Sequence, residues 1–503
     1  MRRCIAMSAT VMFLALVSYE RFSGEQRSGQ ELLQRVKQAV RAPGKAWAGT
    51  MVSGKAVRGG VDHAYSLAFL PDGRFVQSFQ GPDSKTLGND GRQYWQEDYS
   101  HFVQKLDFAD RDRQTAINLL LSDNWLFASA PIQLTADEGR VRMLLKETGV
   151  AVDIHIDPGS HLPTDASFQI PGGTTLELSD WRVAGDRRVP MHVEVTTDGD
   201  TETYSADEAR PIDPGDVHTA MPKQNVADFT FDPATSATVE SSFAGRTHIM
   251  VRALVNGQDV GWFLLDSGAG AMVIDKALAD SLHLERLNRG SATGVGGTFE
   301  SSARAVDEFE IGPMTLRNVR FGDYDFSSFN RGSGPRIAGT IGAPLYRRAV
   351  VVTNWKGPTV EIYDRTSFKL EKGVWQPLRF SSDNPAVLGR VAGTPESWYR
   401  LDTGASGFLM LHAPFVEKWK LLEGRETSAS SSTGMGGVVS ARTGTIKWFE
   451  FGSHRFDNPT VVFSTATIGT FTDPYLAGNI GIDVLKSFTV VLDFTGSRAA
   501  FLK

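Results

Sequence analysis

The chain has 503 residues, 41% hydrophobic and 22% charged, with a formal net charge of −6 and no dense Lys/Arg cluster. That length allows two to four domains of roughly 100–200 residues, and the charge distribution argues against nucleic acid as a partner. The single cysteine, Cys4, excludes an intramolecular disulfide and a thiolate metal cluster.

At the N-terminus, Arg2 and Arg3 precede an apolar run from Cys4 to Tyr19, and the sequence turns polar at Glu20. This pattern predicts a signal peptide over 1–23, cleaved between Ser18 and Gly24, and hence export to the periplasm or the outside. The run is short for a bilayer span of about 20 residues. An uncleaved segment that tethers the protein to a membrane is the alternative. Cys4 comes too early for a lipidation cysteine.

Leu32, Leu33, Val36, Ala39 and Val40 then recur at helical spacing within Glu31 to Arg41, and Pro43-Gly44 stops the helix. From Ala46 to about Ile212 the pattern becomes short alternating stretches with turns between them. Tyr65 to Leu70 before Pro71-Asp72-Gly73 is one example, and Val150 to Ile156 before Asp157-Pro158-Gly159 is another. A helical insert is expected around Asp110 to Leu121. The region 28–212 therefore reads as an accessory α+β domain built on an antiparallel sheet. Ile156-Asp157-Pro158, Leu162-Pro163, Leu178-Ser179-Asp180-Trp181-Arg182, Gly185 and Val189-Pro190 resemble the half-barrel domains of bacterial lipoprotein carriers. That resemblance implies an open curved sheet, an apolar groove and a lipid or acyl ligand. An unrelated antiparallel domain packed on the rest is the alternative. A polar, Pro-containing stretch over 213–242 reads as a linker.

The remainder is an internal duplication, with lobes expected over 243–365 and 374–503. Three landmarks recur in order. The first is Asp-Ser/Thr-Gly, in Phe263-Leu264-Leu265-Asp266-Ser267-Gly268-Ala269-Gly270 and again in Trp398-Tyr399-Arg400-Leu401-Asp402-Thr403-Gly404-Ala405-Ser406. A glycine hairpin follows, Thr293-Gly294-Val295-Gly296-Gly297 and Thr433-Gly434-Met435-Gly436-Gly437. The last is Ile337-Ala338-Gly339-Thr340-Ile341-Gly342, matched by Leu476-Ala477-Gly478-Asn479-Ile480-Gly481. The offsets between halves are 136, 140 and 139 residues.

Alone, Asp-Ser/Thr-Gly is a common turn sequence. Repeated after matched apolar strands, it places two carboxylates at equivalent loops, an arrangement suited to activating water. Gly268 and Gly404 permit close approach of the two loops, and Ser267 and Thr403 offer hydroxyls to brace them. Residues 245–503 resemble the retropepsin-like aspartic proteases, in a bacterial version with two lobes fused in one chain. The resemblance implies a mainly β, bilobal acid-protease fold with Asp266 and Asp402 as a catalytic dyad across a pseudo-twofold axis. It implies Ser267, Gly268, Thr403 and Gly404 as the supporting loops. Gly294, Gly296, Gly297, Gly434, Gly436 and Gly437 would lie in substrate-covering flaps, and 339–342 and 478–481 in supporting loops. It further implies a peptide or protein substrate, no cofactor, and a monomer, because both lobes belong to one chain.

Several positions depart from the family pattern. Val295 and Met435 stand at the hairpin tips in place of an aromatic flap residue, and Thr340 faces Asn479 across the duplication. Arg400, two residues before Asp402, shares its face in a regular strand. Placed there, it would lower the apparent pKa of the pair; turned to solvent, it would do nothing. His155 and His161 lack metal-ligand spacing. Gly-x-Ser-x-Gly, phosphate-loop and His-Glu-x-x-His patterns are absent. The expectation is an exported aspartic endopeptidase without a metal. A retropepsin-like scaffold that binds peptides or envelope ligands without cleaving them is the alternative.

Overall fold

The computed structural model describes residues 29–127, 132–170, 173–245, 247–331 and 334–503. The signal segment expected over 1–23, Cys4 included, lies outside them. The described chain is mainly β, as expected, with antiparallel sheets predominating. It divides into two compact units. The first takes the described residues up to Arg58 together with 62–96 and 111–221, and the second takes 59–61, 97–110 and 222–503.

In the first unit a helix over 29–40 precedes a long sheet. Its strands run side by side in the order Lys85–Asn89, Phe75–Gln80, Val61–Phe69, Thr50–Arg58, Asp200–Pro211, Arg187–Thr197, Thr175–Ala184, Pro163–Phe168, Ala151–Ile156, Arg140–Leu145 and Ile132–Asp137. Alternation sets which face is buried: Val141, Met143 and Leu145 point inward while Arg140 and Arg142 do not. Tyr65 and Tyr204 stack with ring centroids 5.1 Å apart, and Phe79 lies 5.3 Å from Tyr204. The cavity lined by Val52, Tyr65, Met191 and Tyr204 measures about 10 Å³, room for about one water. That cavity is too small to hold an acyl chain.

The second unit carries both Asp-Ser/Thr-Gly repeats. In the first lobe, Gln258–Leu265 pairs parallel with Ile337–Ile341, which pairs antiparallel with Met272–Asp275. In the second, Ser397–Leu401 pairs parallel with Gly478–Ile480, which pairs antiparallel with Leu409–Leu411. The same crossing thus occurs twice. Short helices Ala343–Tyr346 and Ile482–Leu485 follow the central strands. One apolar core runs through both lobes, from Phe263, Phe309 and Phe321 to Tyr399, Phe449 and Phe451.

A six-stranded sheet joins the lobes, in the order Thr238–Val239, Thr359–Tyr363, Val350–Asn354, Thr489–Asp493, Arg498–Leu502 and Gln376–Pro377. Its central register pairs Val351 with Leu492, Val352 with Val491 and Thr353 with Val490. Because the repeat offset is 139 here, Val352 and Val491 are each other's equivalents. The pseudo-twofold axis therefore passes through that pair.

The stretch 213–242, expected as a linker, carries strands of the second unit. Phe229–Phe231 pairs with Met314–Leu316, and Thr238–Val239 pairs with Val360–Glu361. Residues 97–110, within the span expected as the accessory domain, also build into the second unit. Asp107 ion-pairs with Arg379. Phe108 lies edge-on to Trp398 at 6.1 Å, under the Arg379 guanidinium at 4.7 Å. Asp98 reaches Arg347 at 3.4 Å.

Candidate active site

Each apolar strand ends where its aspartate turns back on itself. Asp266 N donates to Ile341 O at 2.9 Å, and Gly268 N donates to Asp266 Oδ1 at 2.8 Å. In the second lobe Asp402 N donates to Ile480 O at 3.1 Å, and Gly404 N donates to Asp402 Oδ1 at 3.1 Å. Behind the loops, Ala343 N donates to Ala269 O at 2.9 Å and Ile482 N to Ala405 O at 3.0 Å. Each loop is thus clamped by the short helix of its own lobe.

Ser267 and Thr403, both buried, lock the two loops together by exchange. Ser267 N donates to Thr403 Oγ1 at 2.9 Å, and Thr403 N donates to Ser267 Oγ at 3.1 Å. The hydroxyls then continue across: Ser267 Oγ donates to Leu401 O at 2.8 Å and Thr403 Oγ1 to Leu265 O at 2.9 Å. Four hydrogen bonds that obey the pseudo-twofold hold the loops in contact.

This lock brings Asp266 and Asp402 together. Their carboxyls hydrogen-bond each other. Burial and the Asp402 charge hold the Asp266 carboxyl well above the usual carboxylate range, against the Gly268 N–H and the Arg400 charge, which pull it down. Arg400 is buried, so the solvent-facing alternative is excluded. Its charge acts in the expected direction, yet burial and the neighbouring carboxyl outweigh it. The Arg400 Nε has no hydrogen-bond partner.

Gly268 and Gly404 are required by contact. A Cβ on Gly268 would lie 2.5 Å from Asp402 Cγ, and one on Gly404 would lie 2.4 Å from Asp266 Cγ. Gly404→Ala is therefore expected to push the opposing carboxyl aside and lower kcat by about 10²-fold. Steady-state kinetics at saturating peptide check this, with folding monitored by circular dichroism.

The glycine hairpins form as expected, Gly290–Gly294 with Gly297–Ser301 and Thr427–Gly434 with Gly437–Thr445. Gly297 and Gly437 make the turns with positive φ. The tips cross: Gly296 N donates to Met435 O at 3.1 Å, and Gly294 and Gly434 sit against Met435 and Val295. A Cβ on Gly296 would meet the Gly436 backbone at 2.3 Å. Val295 packs with Val439, Ala466, Phe471 and Met410 of the second lobe, while Met435 packs with Met250, Leu264, Tyr324 and Phe326 of the first. Aliphatic tips seated in the opposite lobe take the place of an aromatic flap residue.

In the sequence Asn479 stands out only as a divergence between the halves, and His412 does not stand out at all. Asn479 Nδ2 donates to Asp402 Oδ2 at 2.7 Å. His412, fully buried, sets Nε2 2.8 Å from Asn479 Oδ1 and Nδ1 3.2 Å from Asp473 O. A faint signal for His412 does exist. It follows the strand Leu409–Leu411 as Asp275 ends Met272–Asp275, and both residues precede a short helix. His155, by contrast, pairs with Asp165 at the surface. Among the described residues no group of three His, Cys, Asp or Glu side chains is placed to hold a metal.

Residues 251–345 and 387–484 match the family model for aspartyl proteases, so each lobe carries the pattern once. A solved retropepsin-like aspartic protease from Rickettsia conorii is similar at 15% identity over 26% of this chain and 96% of its own, with a TM-score of 0.19. A LolA superfamily protein from Nitrosomonas europaea is similar at 12% identity over 37% of this chain and 94% of its own, with a TM-score of 0.26. A DUF1329 family protein from Desulfovibrio piger is similar at 13% identity over 39% of this chain and 95% of its own, with a TM-score of 0.27. No curated protein matches the chain.

Proposed function

We propose that the protein is an exported aspartic endopeptidase that hydrolyses peptide bonds with a water molecule activated between Asp266 and Asp402. The observation that carries this reading is the reciprocal Ser267–Thr403 lock, which holds two carboxyls in hydrogen-bonding contact. Like charges that close do not both ionise cheaply, so the pair holds one proton between two oxygens that face the same space.

The chemistry follows from that single proton. The ionised member takes a proton from water as the water oxygen bonds to the scissile carbonyl carbon. The protonated member gives its proton to the carbonyl oxygen, and a neutral gem-diol results. In the second step the amide nitrogen takes the proton held by the first carboxyl. The second carboxyl recovers a proton from one diol hydroxyl as the C–N bond breaks. An acid and an amine leave, and the pair returns to its starting charge.

Export is supported by Arg2, Arg3 and the apolar run that follows them. Among the described residues no helix is long and apolar enough to cross a membrane. The substrate proposed is a peptide or unfolded protein segment laid beneath the crossed hairpins, and the two lobes in one chain support a monomer.

The test is incubation of the whole protein with a diverse peptide library over about pH 3–8, with fragments read by mass spectrometry. New termini that disappear with a pepsin-type transition-state inhibitor are expected. Tight peptide binding with no new fragments would overturn the enzyme and leave a binding scaffold.

A further inference from the structure

The pseudo-twofold that relates the lobes breaks at three buried or half-buried positions around the carboxyl pair. Parallel register sets Leu264 beside Thr340 in the first lobe and Arg400 beside Asn479 in the second. The third position is Asp275 in one lobe and His412 in the other, each the N-cap of the short helix that follows. Asp275 turns its carboxylate to local partners, accepting from Leu278 N at 3.0 Å and Phe326 N at 3.3 Å and pairing with Arg336 at 3.3 Å. His412 makes no side-chain cap bond to its helix and reaches instead to Asn479.

The consequence is an unequal supply of donors. Asp402 accepts from Gly404 N on Oδ1 and from Asn479 Nδ2 on Oδ2. Among the described residues, Asp266 accepts from Gly268 N and shares a hydrogen bond with its partner carboxyl, and no bond from Thr340 reaches it. An ionised carboxylate can only accept, so the better-supplied carboxyl is the one that keeps the charge.

Resting on the proposed dyad, we propose that Asn479, held in orientation by His412, is a positioning residue that makes Asp402 the ionised base and leaves the shared proton on Asp266. The amide could face either way without its neighbour. Burial pushes the His412 imidazole down, with the Asp473 charge opposing. Both ring nitrogens face acceptor oxygens, Asp473 O and, at the shorter distance, Asn479 Oδ1; an N–H on Nε2 takes the Asn479 oxygen and turns the amide nitrogen to Asp402.

The other groups around the relay are few. Arg400, on Ser397–Leu401, acts on both His412 and Asp266, favouring a neutral imidazole and a negative carboxyl pair. Asp473 follows the turn Thr470–Thr472, and its side chain accepts from Ser381 Oγ at 3.3 Å and Tyr475 N at 2.8 Å. Tyr346, from Ala343–Tyr346, is fully buried, and burial pushes its hydroxyl up. Asp266 itself is held above the usual carboxylate range, as its role as proton carrier requires.

The experiment is a carbon-13 NMR titration of the aspartate carboxyls in the whole protein over about pH 3–9. Signals are assigned with Asp266→Asn and Asp402→Asn. Wild-type protein should show Asp402 ionising at lower pH than Asp266. Asn479→Thr, which installs the first lobe's residue, should raise the Asp402 midpoint by about one pH unit. The acidic limb of kcat/KM should move with it while KM stays within about twofold. His412→Leu, read the same way, covers the case in which the first variant fails to fold, and a smaller upward shift is expected. The reverse ionisation order in the wild type, or an unmoved Asp402 midpoint in a folded variant, would overturn the proposal. The titration needs no turnover. A protein that cleaves nothing yet shows this order would sink the peptidase reading and support the relay.

Discussion

Asp402→Asn is expected to lower kcat/KM for a cleaved peptide by about 10⁴-fold, with KM nearly unchanged. The amide keeps the size of the carboxyl and can still meet Asn479 and Gly404, but it cannot take a proton from water. Asp266→Asn should lose activity to a similar extent for the opposite reason, because the proton given to the carbonyl oxygen is gone. The two variants separate in stability. Asp266 binds its proton more tightly folded than unfolded, because burial and Asp402 raise its folded pKa. Folding therefore keeps its full stability below the unfolded pKa and loses it as pH rises toward the folded one. The amide in Asp266→Asn has no such proton to lose. That variant's melting temperature should match wild type near pH 3 and exceed it by roughly 5 °C at pH 8. Calorimetry at the two pH values decides this; equal melting temperatures at both would remove the buried-acid account of Asp266.

Thr403→Val should be the most damaging change outside the carboxyls. Valine matches the shape of threonine but strands Ser267 N–H and Leu265 C=O, both buried partners of the lost hydroxyl. A buried donor left unpaired costs about 1–3 kcal/mol, so the expected loss is about 3 kcal/mol in chemical denaturation. Activity should fall by at least about 10²-fold, since loops that slip by about 1 Å no longer oppose their carboxyls. Ser267→Ala removes the mirrored pair of bonds and should cost a similar amount. Thr403→Ser keeps the hydroxyl and should recover most of both losses. A fully active, fully stable Thr403→Val would show that the lock does not position the dyad.

The carboxyl pair was legible because its weak motif is tied to two further landmarks in the same order. The hairpins and the central strands of each half follow from the glycine placement and the apolar runs that repeat in register. His412 escaped because a lone histidine after an apolar strand carries no chemical pattern of its own. Only the alignment of the halves, Asp275 against His412, marks it as a position where the lobes diverge. Arg400 was legible in direction but not in outcome, since alternation gives a face and says nothing of how deeply that face is buried. Residues 97–110 escaped for a different reason. Local propensity specifies a strand or a helix, whereas membership of one compact unit or another is decided by side-chain partners far along the chain. Asp107 and Phe108 join the second unit through Arg379 and Trp398, which local patterning does not reveal.

That inserted segment makes the second unit discontinuous in time as well as in sequence. Asp98 and Asp107 leave the ribosome 249 and 272 residues ahead of Arg347 and Arg379, their partners. The strap must wait through the synthesis of the rest of the first unit and nearly all of the first lobe, or more, before its ion pairs can form. Such late, distant closures slow folding and lengthen the exposure of apolar groups such as Phe108 and Trp398. A chain begun at residue 222 never receives the strap, and it displays two arginines and a tryptophan that the native protein covers.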